Sequence, residues 1–428
     1  MPLKYTWLPA SKPNVLNPIK IKNVDGPYLI TDKGQVLYDA ISSWWCKPLG
    51  HKHDIVLRSI TQQLSIFDHH IHADTYNDLI EELSYRLIKP FKDINKVMYA
   101  SDGSSAIEIA MKLSYKVRIL TKEPNRHKFI ALKGAYHGET GLALSVCGLE
   151  DFKHDYVSLL LKNYFINDIP YVSSRLDQKW FKCNFDYSKM DSFFAKVAKE
   201  VTALIIEPIV QGASGFKIIS QDFLVHLIKL AQKYSIHVIS DEIMVGLGRL
   251  GYLSVTKSIL NYEPEFICFA KNLTAGSVPM SATLINQEIT KFFTQKNITF
   301  EHSHTHSCNT LATKVAISYL KLLDESQILN DVIQIEAKLM NLVNYFASVF
   351  EFVINPRAIG SILACDLNVK KHILQKIFQI GINHGIYLRL LGNTLYITPP
   401  IYQLDKDFNE IATKLSMVLE QIRYEYLR

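Results

Sequence analysis

The sequence predicts an α/β fold, with a large domain built on a mostly parallel central sheet covered by helices and a smaller α/β domain drawn from both termini. Three observations predict it. Short apolar runs alternate with longer amphipathic ones through the middle of the chain, and strands alternating with helices imply a parallel sheet covered on both faces. The two ends break that pattern. Finally, residues suited to a phosphorylated ligand fall directly after the predicted strands, where open parallel sheets bind ligands.

Residues 1–48 hold short extended pieces broken by Pro2, Pro9, Pro13, Pro18 and Pro27. They are assigned to the N-terminal part of the small domain. Residues 49–320 are assigned to the large domain. Within it Lys96–Ala100 reads as a strand, followed by a helix over Ser104–Leu120 with Ile107, Met111, Ser114, Tyr115 and Arg118 at helical spacing. Residues His127–Leu132, Ala203–Ile206, His237–Ser240 and Phe266–Ala270 are further strands, and Phe223–Tyr234 is a helix between two of them. Residues 321–428 complete the small domain. From about residue 327 they read helix, strand, helix, strand, strand, helix. The last helix, Asp407–Tyr424, sets Phe408, Ile411, Leu415, Val418 and Ile422 on one face.

Composition narrows the function classes. With 48% apolar and 21% charged residues over 428 positions, the chain can bury a large core and is not a disordered protein. Its formal charge of +6 is small for this length, and no dense Lys/Arg run marks a nucleic-acid partner. No run of 18 apolar residues predicts a membrane span. Met1–Ala10 lacks the charged-then-apolar order of a signal peptide. Cys46, Cys147, Cys183, Cys268, Cys308 and Cys365 are scattered, with no C-x-x-C pair. That suits reduced thiols in a cytoplasmic protein better than a disulfide frame or a metal site.

The residue after each predicted strand carries the chemistry. After Lys96–Ala100 comes Ser101-Asp102-Gly103-Ser104, where backbone N–H groups at a helix start can hold a phosphate. After the strand at 237 comes Asp241, a carboxylate able to keep a pyridine nitrogen protonated. After the strand at 266 comes Lys271, whose ammonium is costly to desolvate there, which suits a Schiff-base lysine. Phosphate cradle, carboxylate and lysine together are the parts that pyridoxal 5'-phosphate (PLP) needs. Two other motifs read differently. Gly246-Leu-Gly248-Arg-Leu-Gly251 matches G-x-G-x-x-G, but it neither follows a strand directly nor opens a helix, so a dinucleotide site is disfavoured. His302, His304 and His306 alternate, as do residues of His69-His70-Ile-His72, without a completing carboxylate or cysteine, and read as polar loops rather than a metal site.

In order and spacing, these segments resemble the class III aminotransferases of PLP fold type I, over nearly the whole chain. The matching pieces are Gly103-Ser104-Ser-Ala-Ile-Glu108, Ala135-Tyr136-His137-Gly138, Glu207-Pro208-Ile-Val-Gln211-Gly212, Asp241-Glu242-Ile243 with Gly248-Arg249, Ala270-Lys271, and Thr305. Trp7-Leu-Pro9, Ser42-Ser43-Trp44-Trp45 and Leu388-Arg389 with Gly392-Asn-Thr-Leu-Tyr396-Ile-Thr-Pro399-Pro400 resemble the branch that aminates 8-amino-7-oxononanoate with S-adenosylmethionine in biotin synthesis. The resemblance implies a homodimer with shared sites and these roles. Lys271 carries the cofactor and shuttles the proton, and Asp241 pairs with the ring nitrogen. Tyr136 and Ile243 face the ring. Gly103, Ser104 and Thr305 hold the phosphate, Thr305 from the partner subunit, and His304 contacts the cofactor through its backbone. Trp44, Trp45, Tyr136, Arg249, Lys271, Ser303 and Arg389 contact substrate, Arg389 through its carboxylate. Three departures stand out: Ala10 replaces an aromatic after Pro9, Glu139 replaces an aspartate, and His302-Ser303-His304-Thr305 replaces His-Gly-Pro-Thr. Ala10 bears on the amino donor, and a lysine, diamine or ornithine-like donor is the alternative.

Overall fold

The computed structural model describes residues 4–13 and 18–427, so Pro2 lies outside the described residues. Seven strands form the central sheet in the spatial order Ile94–Ala100, Ser281–Asn286, Phe266–Phe269, His237–Asp241, Val201–Ile206, Lys128–Leu132 and Tyr164–Ile166. The last five are mutually parallel. Ser281–Asn286 runs antiparallel to both of its neighbours. The sequence reading missed this strand, because its small residues and the preceding Pro279 mask the apolar run, and it missed the edge strand Tyr164–Ile166, which is only three residues long. The other strands read as near-continuous apolar stretches for a physical reason. Both faces of the sheet are covered, and Val201–Ile206 is buried at every position.

Helix Gly103–Leu120 packs Ile107 and Met111 among Phe129, Ala203, Ile239 and Phe266. Ser114 and Arg118 on the same face bond to Thr202, the hydroxyl at 2.8 Å and the guanidinium to the carbonyl at 3.0 Å. Tyr115, expected on this face, is instead exposed. The buried row steps 107, 111, 114, 118, and residue 115 falls one position beyond it. Helix Gln221–Lys233, buried through Phe223, Leu224, Leu227 and Ile228, covers the sheet elsewhere.

The two ends of the chain meet. Ile21–Asp25, Tyr28–Thr31 and Val36–Asp39 form an antiparallel meander, and Ile386–Tyr387 adds to its edge in parallel with Val36–Asp39. A second sheet orders Val353–Ile359, Ile362–Leu367, Thr394–Ile397 and Leu390–Leu391. Helices Ile328–Val349 and Leu404–Tyr426 share one core with them. Ile411, Leu415, Val418 and Ile422 are buried as expected, with Phe408 at the margin. The order after residue 327 is richer than the sequence suggests. Two strands turning at Gly360 (φ +55°) stand where one was expected, and two short helices, Lys371–Leu374 and Ile377–Asn383, stand in place of one.

Candidate functional site

The site gathers at the carboxyl ends of the central strands. After Ile94–Ala100 the chain turns at Asp102, whose carboxylate accepts the Ser105 N–H at 2.9 Å and the Ser105 hydroxyl at 2.8 Å. This N-cap leaves other first-turn N–H groups without intrahelical partners and sets the positive end of an 18-residue helix there. Gly103 packs closely on Ile243: a Cβ there would sit 2.8 Å from Ile243 Cδ1. Gly138 (φ +121°) comes so close to Ser104 that a Cβ would lie 2.1 Å from its Oγ. Gly103, Ser104, Gly138 and Ile243 therefore share one small space.

Asp241 ends its strand almost fully buried. Its Oδ2 contacts His137 Nδ1 at 2.7 Å and its Oδ1 accepts the Ile243 N–H at 3.1 Å. Neighbouring Glu242 has a different task. Its oxygens accept the Ser254 hydroxyl and the Val255 and Thr256 N–H groups at the start of helix Val255–Leu260. Glu207, after strand Val201–Ile206, accepts the Tyr136 N–H at 2.9 Å and the Gly212 N–H at 3.0 Å. Burial, helped by Asp241 and resisted by His137, pushes its carboxyl up to about 7. Tyr136 donates its hydroxyl to Glu139 at 2.8 Å, and burial and that carboxylate raise its basicity.

Lys271 opens a short 3-10 turn after Phe266–Phe269. Desolvation lowers its basicity, with Asp241 and Glu207 pulling the other way. Its Nζ lies 5.4 Å from the ring centre of Trp45, which is buried against Phe216 and Tyr396 and reaches the Tyr396 hydroxyl at 3.3 Å. Trp44 is half exposed, and the Arg389 guanidinium sits 4.7 Å from its ring centre. The tryptophans come from a tight segment in which Ser42 (φ +48°), Ser43 (φ +61°) and Trp45 (φ +65°) all hold left-handed conformations. Such residues cost of order 1–3 kcal/mol each and collect at functional sites.

The structure thus brings together Gly103, Ser104, Tyr136, Asp241, Ile243, Lys271 and Trp45, with Trp44 and Arg389 as a pair. Other candidates stand differently. Arg249 is fully buried, with Nη1 donating to the Pro399 carbonyl at 2.6 Å and to Ser361 at 3.1 Å, and burial brings its pKa down to about 10. Its Nε and Nη2 have no hydrogen-bond partner among the described residues. Ser303, His304 and Thr305 lie in a loop with its own contacts. His304 meets His302 at 3.0 Å, His302 meets Lys112 at 2.9 Å, and the Thr305 carbonyl lies 3.1 Å from His69. The glycine motif at 246–251 is buried in turns. A Cβ at Gly246 would meet Phe269 at 2.6 Å and one at Gly251 would meet Ile333 at 2.5 Å, so these glycines serve close packing. Trp7 and Ala10 are exposed.

Glu207 and His137 were not singled out for a role by sequence. Glu207 directly follows a strand, as Asp241 does, and Tyr136-His137 comes soon after strand Lys128–Leu132. That position was the available signal.

These residues fit PLP. The glycine cradle at a helix start suits a phosphate, the anchored carboxylate of Asp241 suits a protonated pyridine, and Lys271 has the lowered basicity a Schiff-base amine needs. A family model described as aminotransferase class-III matches residues 10–419. The chain is 31% identical to an adenosylmethionine-8-amino-7-oxononanoate aminotransferase of Synechococcus elongatus, covering 98% of this chain and 99% of the relative. It is 29% identical to the enzyme of that name from Helicobacter pylori, covering 98% and 97%. The solved enzyme of that name from Methanocaldococcus jannaschii superposes with a TM-score of 0.87 at 26% identity, over 97% of both chains. A PLP-bound amine transaminase from an uncultivated Pseudomonas species shares the fold, with a TM-score of 0.87 at 23% identity over 98% of this chain and 99% of that one.

Proposed function

The chain belongs to the class-III aminotransferases and is a PLP-dependent transaminase, and from that premise we propose that it aminates 8-amino-7-oxononanoate to 7,8-diaminononanoate with S-adenosylmethionine as amino donor. The observation that carries this reading is the Trp44–Arg389 stack beside the Trp45–Lys271 contact. It offers an aromatic wall for a long chain and a planar cation for a carboxylate. The names of the relatives support the same substrates.

PLP, when bound, supplies an electron sink that stabilises charge on the donor carbon. The chain's own residues do the rest. Lys271 would hold the cofactor, and its Nζ would carry the proton between the donor carbon and the cofactor's C4′, then from C4′ to the acceptor carbon in the reverse half. Asp241, fixed by His137, would keep the ring nitrogen protonated. Gly103 and Ser104 would hold the phosphate with helix N–H groups. Tyr136 and Ile243 would line the ring's pocket. Arg389 would pair with the keto acid's carboxylate and Trp44 and Trp45 would line its chain, whereas Arg249, fully buried on Pro399 and Ser361, does not reach the pocket surface.

We read residues 49–320 as the large domain, and 1–48 with 321–428 as the small one. The pairing of Val36–Asp39 with Ile386–Tyr387 supports that division. The exposed loop bearing Ser303, His304 and Thr305 supports a homodimer in which Thr305 serves the partner's site. A cytoplasmic location agrees with six free cysteines. No helix among the described residues is long and apolar enough to cross a membrane.

The test is the absorption spectrum of the holoenzyme. A yellow PLP band that bleaches with S-adenosylmethionine supports the donor. A band that bleaches with lysine or a diamine instead moves the donor and keeps the transaminase. Ala10, where the related branch carries an aromatic, favours that second reading. No band after PLP is added would overturn the cofactor assignment.

A further inference from the structure

We propose that Asp39, braced by His51, is a positioning residue that sets Trp44 against Arg389 and so tunes recognition of the substrate's carboxylate. The inference rests on reading Arg389 as that carboxylate's partner. Asp39 ends strand Val36–Asp39 at 1% exposure. One of its oxygens, Oδ2, accepts the Ser43 N–H at 2.7 Å and the Ser43 hydroxyl at 3.2 Å, and meets His51 Nε2 at 3.1 Å. Its other oxygen is buried with no partner among the described residues. A polar group left partly unpaired is costly to bury. This one is spent on the segment whose left-handed residues Ser42, Ser43 and Trp45 would otherwise relax.

The geometry links that segment to Arg389. Asp39 is the register partner of Tyr387 in the parallel pairing, and Arg389 follows two residues later. Two further bonds tie the same joint: the Ser42 hydroxyl donates to the Thr398 carbonyl at 2.7 Å, and the Thr398 N–H donates to the Ala40 carbonyl at 2.8 Å. Both halves of the Trp44–Arg389 stack therefore leave one strand junction, and Asp39 holds the orientation of the half that carries the strained backbone.

The experiment uses the holoenzyme with 8-amino-7-oxononanoate and its methyl ester as paired acceptors. Asp39→Asn should raise KM for the acid by about tenfold, with kcat and the ester's KM within about twofold of wild type. It should also shift the near-UV circular dichroism of the tryptophans, and that shift should vanish in a Trp44→Phe background. Equal effects on acid and ester, or an unchanged acid KM, would overturn the proposal while Arg389→Ala still erased the acid's advantage. An acid advantage that survives Arg389→Ala would instead sink the carboxylate reading, and the inference with it. If Asp39→Asn does not fold, His51→Gln removes the brace from the other side and faces the same criteria.

Discussion

At the scale of single residues, the site's chemistry follows from burial. Lys271→Ala should cut turnover by more than about a thousandfold and remove the cofactor's covalent attachment, seen as a shifted absorption band and release of PLP on gel filtration. Gly138→Ala is a structural counterpart. A side chain at φ +121° and 2.1 Å from Ser104 Oγ should cost about 2–4 kcal/mol in urea unfolding and weaken PLP binding as Ser104 is displaced. Glu207 gives a pH prediction. Its carboxyl is lifted from 4.5 to about 7, so between those values the folded protein keeps a proton that the unfolded chain has lost. Stability should then fall as pH rises through that window, by at most about 3 kcal/mol, and level off above it. Glu207→Gln should flatten this part of the profile in urea titrations at pH 5 and pH 8. Lys271, Asp241 and Gly103 were legible because each follows an apolar strand. The Asp241–His137 bond was not, since it joins side chains 104 positions apart.

At the scale of elements, helix Gly103–Leu120 depends on its cap. Asp102→Ala should lower stability by about 1 kcal/mol, measured by thermal melting of the apo protein. The central strands and helices were readable because a sheet covered on both faces demands continuous apolar runs. Ser281–Asn286 escaped because Ser281, Ala282 and Thr283 pack into that sheet without looking apolar. Around Trp44-Trp45 the sequence suggested pocket residues but not a contorted backbone. Left-handed Ser42, Ser43 and Trp45 have no local sequence cue, as none is glycine or asparagine, and tertiary bonds from Asp39 and Thr398 impose the conformation.

At the scale of the whole molecule, the class of fold and the meeting of the two ends were legible from the change of pattern at each terminus. The hairpin at Gly360 was not, because a two-residue reversal inside an apolar stretch looks like one long strand. Cofactor binding should stabilise the whole molecule by mass action. PLP at a hundred times its dissociation constant should add about 2.7 kcal/mol, read as a rise in melting temperature that Lys271→Ala reduces. The parallel pairing of Val36–Asp39 with Ile386–Tyr387 also governs when the enzyme can exist during its synthesis. A nascent chain still short of Ile386 has already released Lys271, Asp241 and the phosphate cradle from the ribosome. Trp44 has by then emerged without Arg389, against which it packs in the finished fold. On the proposed reading of that pair, a chain cut before Ile386 would carry the lysine-bearing core without the grip on the substrate's tail.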